Sequence, residues 1–300
     1  MRHLAVLINE TILGLNLIPG AKVVDGTLGD GGHSEAILDR VPESQVLGID
    51  ADIEAILRTK RYLYRFEDRI QFVHDNFANL LQVIKENNFG PVSGIVLDLG
   101  WSSPQFEERG RGFSFQQNEP LDMRYNAVAK NLETAAEIVN TYLEKDLAKL
   151  FKTFGEEKFS KEIAEAICRE RRKKPIENTR ELVEIILQTY REKLKTDKDI
   201  PWIGGLHPAT KVFQALRMEV NHELEVLKQV LPQALEVLAP GGRLAVISFH
   251  SLEDRIVKRF FETAGISGHK IITKKPIIAT DQEIQANPRS RSAKLRILEK

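Results

Sequence analysis

The chain has 300 residues, of which 42% are hydrophobic, so it is long enough to bury a full-sized core in one large domain or in two. Lysine plus arginine and aspartate plus glutamate both number 43, and this balance excludes a polycation that binds nucleic acid through bulk charge alone. The single cysteine, Cys168, excludes an intrachain disulfide and a cysteine zinc cage, which favours a reducing compartment.

The N-terminal segment carries no targeting pattern. Asn9 and Glu10 interrupt its apolar run, and no small-residue cleavage site follows, so we expect a short helix and not a signal peptide. Nowhere do about 18 apolar residues follow one another without a charge, so we expect no membrane span. Together with the cysteine content, these features predict a cytoplasmic protein.

Four short apolar segments in the first hundred residues, each ending in aspartate, predict the strands of a parallel sheet. They lie at 23–25, 46–50, 70–75 and 94–98, and they are too short for helices and rich in β-branched residues. Helical stretches lie between them, at 34–40, 53–64 and 77–87. Strand alternating with helix predicts an α/β doubly wound sheet.

The alternation stops after about residue 107. From 131 to about 195 the apolar residues keep helical spacing only, and Asn178 followed by Glu181 predicts a helix N-cap. A long helix is then expected from about 208 to 238, and Pro232 should disturb or divide it.

Strand patterns return near the C-terminus. One strand is expected at 243–249, and two late ones near 270–273 and 294–298 predict an antiparallel edge. The simplest architecture is an α/β domain of residues 1–112 and 203–300, with a helical domain of residues 113–202 inserted after the fourth strand.

The strongest local signal is the glycine-rich segment from Asp25 to Ser34, between a predicted strand and a predicted helix. Glycines let the backbone approach a ligand closely because no Cβ intervenes. The spacing is not Gly-x-Gly-x-x-Gly, and the carboxylate of Asp25 would repel a pyrophosphate. It suits a cationic ligand such as the sulfonium and α-amino group of S-adenosylmethionine. The alternative is a glycine-rich turn that binds nothing.

Polar or aromatic residues follow the next three strands. Asp50 stands where a ribose diol is bound in such sheets, although aspartate is also common at helix caps. Phe77 is either a stacking surface for adenine or the first core residue of a helix. The segment from Asp98 to Gln105 should face cofactor and substrate. It loosely resembles the Asp/Asn/Ser-Pro-Pro-aromatic loop of enzymes that methylate exocyclic amines, with Gln105 replacing the second proline; the alternative is a capped turn.

Two other kinds of site receive little support. His250, Ser251 and Glu253 follow the fifth strand, but no Gly-x-Ser-x-Gly elbow accompanies them, so we expect helix-start and binding residues and not a hydrolase. The seven histidines are scattered, and none forms His-x-x-x-His with a neighbouring carboxylate, so no metal site is expected.

Two basic clusters suit contacts with RNA phosphates. The first runs from Arg169 to Lys174 in the helical region, where an ordinary solvated face is an equally good interpretation. The second contains Arg289, Arg291, Lys294 and Arg296, and it interrupts an expected edge strand.

Together these motifs resemble one family, the bacterial ribosomal small-subunit RNA (cytosine-N4)-methyltransferases (RsmH/MraW). The resemblance covers nearly the whole chain and is carried by residues 25–34, 98–105, 111–115, 120–124, 154–157, 207–217, 241–255 and 287–294. The chain departs from the family pattern at Trp101, where a small aliphatic residue is usual, and at Lys158, where arginine is usual.

The resemblance implies a Rossmann-like class I S-adenosylmethionine-dependent methyltransferase sheet with an inserted all-helical domain. It also implies that the product is N4-methylcytidine in 16S rRNA near the decoding centre, made on an assembled small ribosomal subunit. Cofactor contacts are expected from the family match and from the glycine-rich loop, at Asp25, Gly29, Gly31, Gly32, His33, Asp50, Phe77, Asp98 and Gln105.

The expected chemistry needs hydrogen-bond acceptors for the target amine and residues that bind the RNA. For catalysis we expect Asp98, Ser102 and Ser103, with a Gly100 carbonyl as an alternative acceptor. The target base must leave its stack to reach the methyl group. The residues expected to stack on that base or to hold its phosphates are Trp101, Phe113, Phe115, Arg171, Arg172, Lys173, Arg289 and Arg291.

Three alternative functions stay open. An NAD-dependent dehydrogenase requires Gly-x-Gly-x-x-Gly, which the chain does not contain. A non-catalytic RNA-binding assembly protein would bind RNA independently of S-adenosylmethionine. An amino-methyltransferase of DNA or of another RNA differs only in its substrate. No sequence feature predicts an oligomeric state.

Overall fold

The computed structural model describes residues 4–99, 110–126, 132–196 and 207–300. The chain forms two compact units, one of Met1–Ser102 with Leu224–Lys300 and the other of Ser103–Glu223. The boundaries expected from the sequence, after residues 112 and 202, both fall inside the second unit. None of the described helices is both long enough and apolar enough to cross a membrane.

The first unit is built on one sheet. Its strands are β1 (Lys22–Asp25), β2 (Gln45–Asp50), β3 (Ile70–His74), β4 (Val92–Asp98), β5 (Leu238–Ser248), β6 (Lys270–Ile271), β7 (Ile277–Ile278) and β8 (Lys294–Glu299). The strand order is β3-β2-β1-β4-β5-β8-β6, and β7 also pairs with β8. Strands β1 to β5 are parallel, and β8 runs antiparallel to β5. The predicted α/β sheet and its antiparallel edge are both confirmed.

The helices alternate with the strands in the first unit and follow one another in the second. In chain order they are α1 (Ile8–Leu15), α2 (Gly32–Arg40), α3 (Ile53–Tyr62), α4 (Leu80–Glu86), α5 (Ala135–Thr141), α6 (Glu144–Thr153), α7 (Ser160–Glu170), α8 (Thr179–Leu194), α9 (Ala209–Val220), α10 (Glu223–Val237), α11 (Ser251–Ile266) and α12 (Asp281–Ala286). Helices α5 to α9 belong to the second unit.

Hydrophobic clusters cover both faces of the sheet. Neighbouring residues of one strand enter different clusters, as Val23 and Val24 of β1 do, because successive side chains point to opposite faces. The order of the strands reverses between β1 and β4, since the chain leaves β1 toward β2 and later returns to β4 on the other side. In open α/β sheets this reversal opens a crevice at the carboxyl ends of the two strands, which is where ligands bind.

The helix expected over 208–238 is two helices, and the break is not at Pro232. Helix α9 ends at Val220, where Asn221 donates to the carbonyls of Arg217 at 2.9 Å and Met123 at 2.8 Å. His222 then takes a left-handed conformation with φ of 50°. Pro232 lies inside α10, so the prediction that it divides the helix was wrong.

Two helices of the second unit begin with a reciprocal capping box, one of them at the predicted N-cap. Asn178 caps α8 in a reciprocal capping box with Glu181, which confirms the predicted N-cap. Thr134 and Glu137 form the same arrangement at the start of α5. Each box satisfies backbone N–H groups that would otherwise have no partner in the first helical turn.

Candidate functional site

Three carboxylates lie at the carboxyl edge of the sheet in the first unit. Asp25, Asp50 and Asp98 end β1, β2 and β4, and these strands are hydrogen-bonded neighbours in the order β2-β1-β4. Parallel strands bring their ends to the same edge, so the aspartates that were separated in sequence become one acidic rim. This rim lies at the reversal of strand order, where a ligand crevice is expected.

The glycine-rich loop between β1 and α2 is shaped by two left-handed glycines. Gly29 has φ of 51° and Gly31 has φ of 72°, which side chains with a Cβ rarely adopt. A Cβ on Gly31 would lie 2.6 Å from Cγ2 of Thr59, so this residue also packs tightly against α3. The Thr59 hydroxyl donates to the Gly29 carbonyl at 2.6 Å and fixes the loop from the same side.

Asp50 ties the glycine-rich loop to β2 and keeps acceptor capacity. Its Oδ2 accepts the N–H of Gly29 at 2.8 Å, and its Oδ1 accepts the N–H of Asp52 at 2.9 Å. Each carboxylate oxygen accepts one bond here and can accept another, which a vicinal diol would provide. Burial raises the pKa of Asp50 to about 6, although the two N–H groups favour the ionised form.

Asp25 lies beneath the loop. It is 1% exposed, and its Oδ2 accepts the Ser34 hydroxyl at 2.6 Å while Oδ1 accepts the Thr27 N–H at 3.3 Å. Burial raises its pKa, against the opposing effects of His33, Ser34 and Thr27. These contacts make Asp25 a brace for the loop, and its expected contact with a cofactor stays a prediction.

His33 joins α2 to the end of β4. Its Nε2 lies 3.3 Å from Oδ2 of Asp98, and the two side chains are 5% and 12% exposed. Burial lowers the pKa of His33, but the neighbouring carboxylates of Asp98 and Asp25 outweigh it and raise the pKa overall. Among the described residues Nδ1 of His33 has no hydrogen-bond partner. The ring therefore still offers a polar atom beside the acidic rim.

Asp98 is also fixed through its backbone. Its N–H donates to Oγ1 of Thr27 at 2.7 Å, and the N–H of Leu99 donates to the carbonyl of Ile247 in β5 at 2.9 Å. The backbone of Asp98 is thus held by the glycine-rich loop, and the next residue, Leu99, is bonded to β5.

Phe77 is partly exposed and partly packed. It begins a 3-10 helix, Phe77–Asn79, after Asn76 accepts the N–H of Ala78, and it lies against the core cluster on one face of the sheet. A Cβ on Gly26 would lie 3.6 Å from Cβ of Phe77, so the ring is next to the loop that follows β1. Both interpretations of this residue, core packing and adenine stacking, keep support from its position.

Four of the expected site residues lie outside the described residues: Trp101, Ser102, Ser103 and Gln105. Their expected roles in stacking, in accepting the amine hydrogens and in holding the cofactor stay predictions. The described part of the same segment ends at Leu99.

The two expected stacking phenylalanines lie in the second unit and already have ring partners. Phe113 is 6% exposed and stacks on Tyr125 with ring centroids 5.7 Å apart. Phe115 is less buried; its ring stacks on His207 at 4.7 Å and meets Phe213 edge-on at 5.1 Å. Phe113 would need Tyr125 to move before a base could stack on that face.

The basic cluster of the second unit is largely used within the unit. Arg171 donates to the carbonyl of Val139 at 2.7 Å, and Lys173 pairs with Glu170 at 2.9 Å. Arg172 is exposed. The folded surface therefore presents less unpaired positive charge than the run of basic residues in the sequence suggests.

The C-terminal basic residues lie in the first unit. Arg289 and Arg291 belong to a 3-10 helix, Pro288–Ser292, that leads into β8, and Arg291 is exposed. Arg296 is buried and pairs with Asp254 at 2.6 Å, so it is a structural residue. Lys294 is paired in register with Ser248, at the carboxyl end of β5, which brings this segment to the same sheet edge as Asp98.

His250 and Glu253 begin α11, as the sequence indicates. They form a capping box, and the carboxylate of Glu253 accepts the N–H of Phe249 at 2.8 Å. The helix-start interpretation is confirmed.

Three hydroxyl residues that hold the site were not identified in the sequence. Thr27 holds Asp98, Ser34 holds Asp25, and Thr59 holds Gly29. Thr27 and Ser34 lie inside the glycine-rich motif, so that motif was a signal for them. Thr59 is 30 residues from its partner, and no local pattern identifies it.

The donor and acceptor set fits S-adenosylmethionine. The ligand would bring a sulfonium, an ammonium and a ribose diol, all of which prefer anionic acceptors. Asp50 and Asp98 provide carboxylates at the edge, and buried His33 provides a polar ring atom without a partner among the described residues. A pyrophosphate would face the same carboxylates and be repelled, so the rim disfavours a dinucleotide.

Comparisons with known proteins agree with the resemblance seen in the sequence. A family model described as the MraW methylase family matches residues 1–300. A ribosomal RNA small subunit methyltransferase H of Carboxydothermus hydrogenoformans is 45% identical, with 99% of this chain and 97% of that protein covered. The protein of the same name from Clostridioides difficile is 41% identical, with 99% and 98% covered.

A solved structure is similar at a lower level. An rRNA methylase from Streptococcus thermophilus aligns with a TM-score of 0.43 and 11% identity, over 97% of this chain and 94% of that one.

Proposed function

The chain belongs to the MraW methylase family, and on this premise we propose that it methylates the exocyclic N4 of one cytidine in small-subunit ribosomal RNA, near the decoding centre. It is an S-adenosylmethionine-dependent rRNA methyltransferase, as its family and its named relatives indicate. The choice of N4 rests on the resemblance of the Asp98 to Gln105 segment to loops that serve exocyclic amines.

One observation carries the proposal more than the others. Asp50 and Asp98 lie at the ends of the two parallel strands that flank β1, and the glycine-rich loop is hydrogen-bonded to both strands through Gly29 and Thr27. This is an anionic, preformed edge that suits a cationic nucleoside. It also supports methyl transfer over hydride transfer, because a nicotinamide dinucleotide carries a pyrophosphate that this edge would repel.

S-adenosylmethionine supplies, when bound, a methyl carbon made electrophilic by its sulfonium. Asp50 would accept the ribose hydroxyls, and Phe77 would cover one face of the adenine. Asp98, His33 and the backbone of Gly31 and Gly32 would hold the methionine part. Asp25 supports these contacts indirectly by keeping the loop in place through Ser34 and Thr27.

The chain contributes alignment and hydrogen-bond acceptors to the reaction. Holding the cytidine amine in line with the methyl carbon supplies much of the rate, since the leaving group is already good. The N4 lone pair is delocalised into the ring, so acceptors for its hydrogens favour the pyramidal nitrogen of the transition state. We assign this role to Ser102 and Ser103, with Asp98 positioned at the start of the loop by Thr27. The methylated amine is acidic and loses its proton without a strong base.

The substrate RNA would be held outside this edge. Arg289 and Arg291 lie beside Lys294, which is level with the carboxyl end of β5, and they would bind phosphates near the target base. The base would leave its stack and be covered by Trp101. With small ribosomal subunits as substrate, the reaction takes place in the cytoplasm.

The proposal is tested by transfer of labelled methyl to small subunits that lack the modification, followed by mapping of the nucleotide. We expect N4-methylcytidine at a single position. Subunits from modified cells are the control, because their site is already occupied. Cofactor binding without any label on the unmodified subunits would contradict the ribosomal assignment and favour DNA or another RNA.

A further inference from the structure

The second unit carries a stripe of three lysines on one helix face, and these lysines are not consecutive in the sequence. Lys145, Lys149 and Lys152 follow one another in α6 at spacings of four and three residues, so they lie on one face of the helix. All three are exposed. With a rise of 1.5 Å per residue they are roughly 6 Å and roughly 4.5 Å apart along the axis.

The opposite face of α6 explains why the stripe points outward. Leu147, Leu150 and Phe151 are buried and hold the helix in the unit, where it contacts α7 and α9. The lysines occupy the remaining side of the same helix. Its orientation is therefore fixed by packing, and the positive charge is presented in a defined direction.

The three ammonium groups are not neutralised. Among the described residues of the chain, none of them has a carboxylate within 4.0 Å or a hydrogen-bond acceptor in reach. Other lysines of the second unit differ: Lys174 pairs with Glu181 at 2.7 Å, and Lys193 pairs with Glu162 at 2.7 Å. The stripe is thus available to an anionic partner in a way that these lysines are not.

Lys152, in the last turn of α6, suits the helix dipole, but other features of the row oppose helix stability. Like charges three or four residues apart repel one another and destabilise a helix. Lys145 also lies in the first turn, where the positive end of the helix dipole opposes a cation. Glu144 and Asp146 in that turn offset the dipole but lie off the lysine face. A partner that carries a row of negative charges would turn this repulsion into attraction.

We propose that the face of α6 formed by Lys145, Lys149 and Lys152 binds the phosphate backbone of the substrate RNA. The inference rests on the proposed rRNA methylation, which supplies a polyanionic partner, and it deepens it by naming a contact surface. A regular row of ammonium groups suits a backbone with regularly spaced phosphates, because lysine binds phosphate as a point charge with little geometric demand. Such contacts position the RNA without reading its sequence.

The test compares two triple variants of the full-length chain. In the first, Lys145, Lys149 and Lys152 are replaced by Gln, which keeps helix propensity and removes the like-charge repulsion, so folding should be preserved. In the control, Lys193, Lys258 and Lys270 are replaced by Gln. These three are exposed but paired with Glu162, Glu262 and Glu299. Both variants lose three positive charges, so a general effect of net charge would appear in both.

The readout is the dissociation constant for protein-free small-subunit rRNA, measured over a range of salt concentrations. For the stripe variant, we expect the slope of log K against log salt to become shallower by about 2 to 3, at 0.7 to 0.9 per lost contact. The dissociation constant should rise about 10- to 100-fold near 0.15 M salt. The control should keep most of the wild-type slope, and kcat at saturating subunits should be unchanged in both.

Each other outcome overturns the inference in a recognisable way. An unchanged salt slope in the stripe variant removes the phosphate contact. Weaker binding to whole subunits with normal binding to protein-free rRNA would mean that the stripe contacts a ribosomal protein. Failure of the proposed function is separate, because it would appear as a wild-type chain that transfers no methyl to subunits, whatever its affinity for rRNA.

Discussion

The backbone N–H of Gly29 donates to Oδ2 of Asp50 at 2.8 Å, so the glycine-rich loop after β1 and the end of β2 are fixed to each other. The contact joins residues 21 positions apart. Burial raises the pKa of Asp50 to about 6, against an ordinary value of 3.8, although the bond from Gly29 itself lowers it. The same carboxylate that shapes the loop therefore changes its charge close to physiological pH.

Cofactor affinity should depend on the ionisation of Asp50. A ribose diol is bound best by the carboxylate, so binding should be full above pH 6 and should fall as pH drops through about 6. Well below that value the loss approaches about tenfold per pH unit, as expected for one proton. Calorimetric titration of S-adenosylmethionine between pH 5 and pH 8 measures it. Asp50→Asn should bind weakly at every pH, and an Asp50→Asn profile that still falls below pH 6 would assign the titration to another group.

The stability of the first unit should respond to the hydroxyl of Ser34 in a pH-dependent way. Ser34→Ala leaves one oxygen of buried Asp25 without its donor, which costs about 1 to 3 kcal/mol. Burial already raises the pKa of Asp25 above 3.8, and losing the donor raises it further. A raised carboxyl pKa stabilises the fold at low pH and loses that contribution as pH rises through the folded pKa. The destabilisation by Ser34→Ala should therefore grow as pH rises through the folded pKa of Asp25, which urea titrations over a series of pH values measure.

Asp25→Asn is the control for that experiment. It removes the titrating group, so the pH dependence that Ser34→Ala adds should disappear in the double variant. A destabilisation by Ser34→Ala that is the same at every pH of the series would contradict the role assigned to the pair.

Alanine substitutions at two left-handed glycines separate the cost in stability of the backbone conformation from the cost of overpacking. Gly31 has φ of 72° and a Cβ there would lie 2.6 Å from Cγ2 of Thr59, whereas Gly20 has φ of 78° and nothing within 4 Å. Gly20→Ala should cost about 1 kcal/mol for the backbone alone. Gly31→Ala should cost more, about 2 to 4 kcal/mol, because overpacking adds to it. Thermal unfolding of the two variants measures the difference, and equal losses would show that α3 yields to the added methyl group.

Much of the first unit follows from its sequence, for a physical reason. Strands buried on both faces are short apolar runs, and each of the first four ends in or just before an aspartate. Both the sheet and its acidic edge can therefore be predicted from the sequence. The glycine-rich loop can be predicted because its residues are consecutive in the sequence. The contacts of Thr59 and Asp50 to Gly29 cannot be predicted in this way, since they depend on how α3 and β2 pack beside β1.

The charged surface of the second unit is harder to predict, because the pairing of charges depends on the folded surface and not on their order along the chain. The run from Arg169 to Lys174 suits either an RNA contact or an ordinary solvated face, and in the folded unit Glu170 and Glu181 pair with Lys173 and Lys174. The division of the helix at His222 also escaped prediction, since a left-handed residue other than glycine leaves little trace in a sequence. Pro232 is the more visible signal, but the helix runs through it.

The last prediction concerns Thr27, whose hydroxyl accepts the N–H of Asp98 at 2.7 Å. Thr27→Val keeps the shape of the side chain and leaves that N–H without a partner, so Asp98 and the segment that follows it should lose their fixed position. We expect methyl transfer to subunits to fall about tenfold in kcat, since misplacement by a fraction of an ångström weakens alignment. The dissociation constant of S-adenosylmethionine should change less, because Asp50 is untouched.

Thr27→Ser is the matched variant, since it restores the hydroxyl and removes only a methyl group. It should recover most of the rate that Thr27→Val loses. The two variants are compared by steady-state kinetics with undermodified subunits, and by calorimetry for the cofactor. If Thr27→Ser were as slow as Thr27→Val, the lost methyl packing and not the hydrogen bond to Asp98 would be the cause. If both were as fast as the wild type, Asp98 would not need this contact to keep the substrate loop in place.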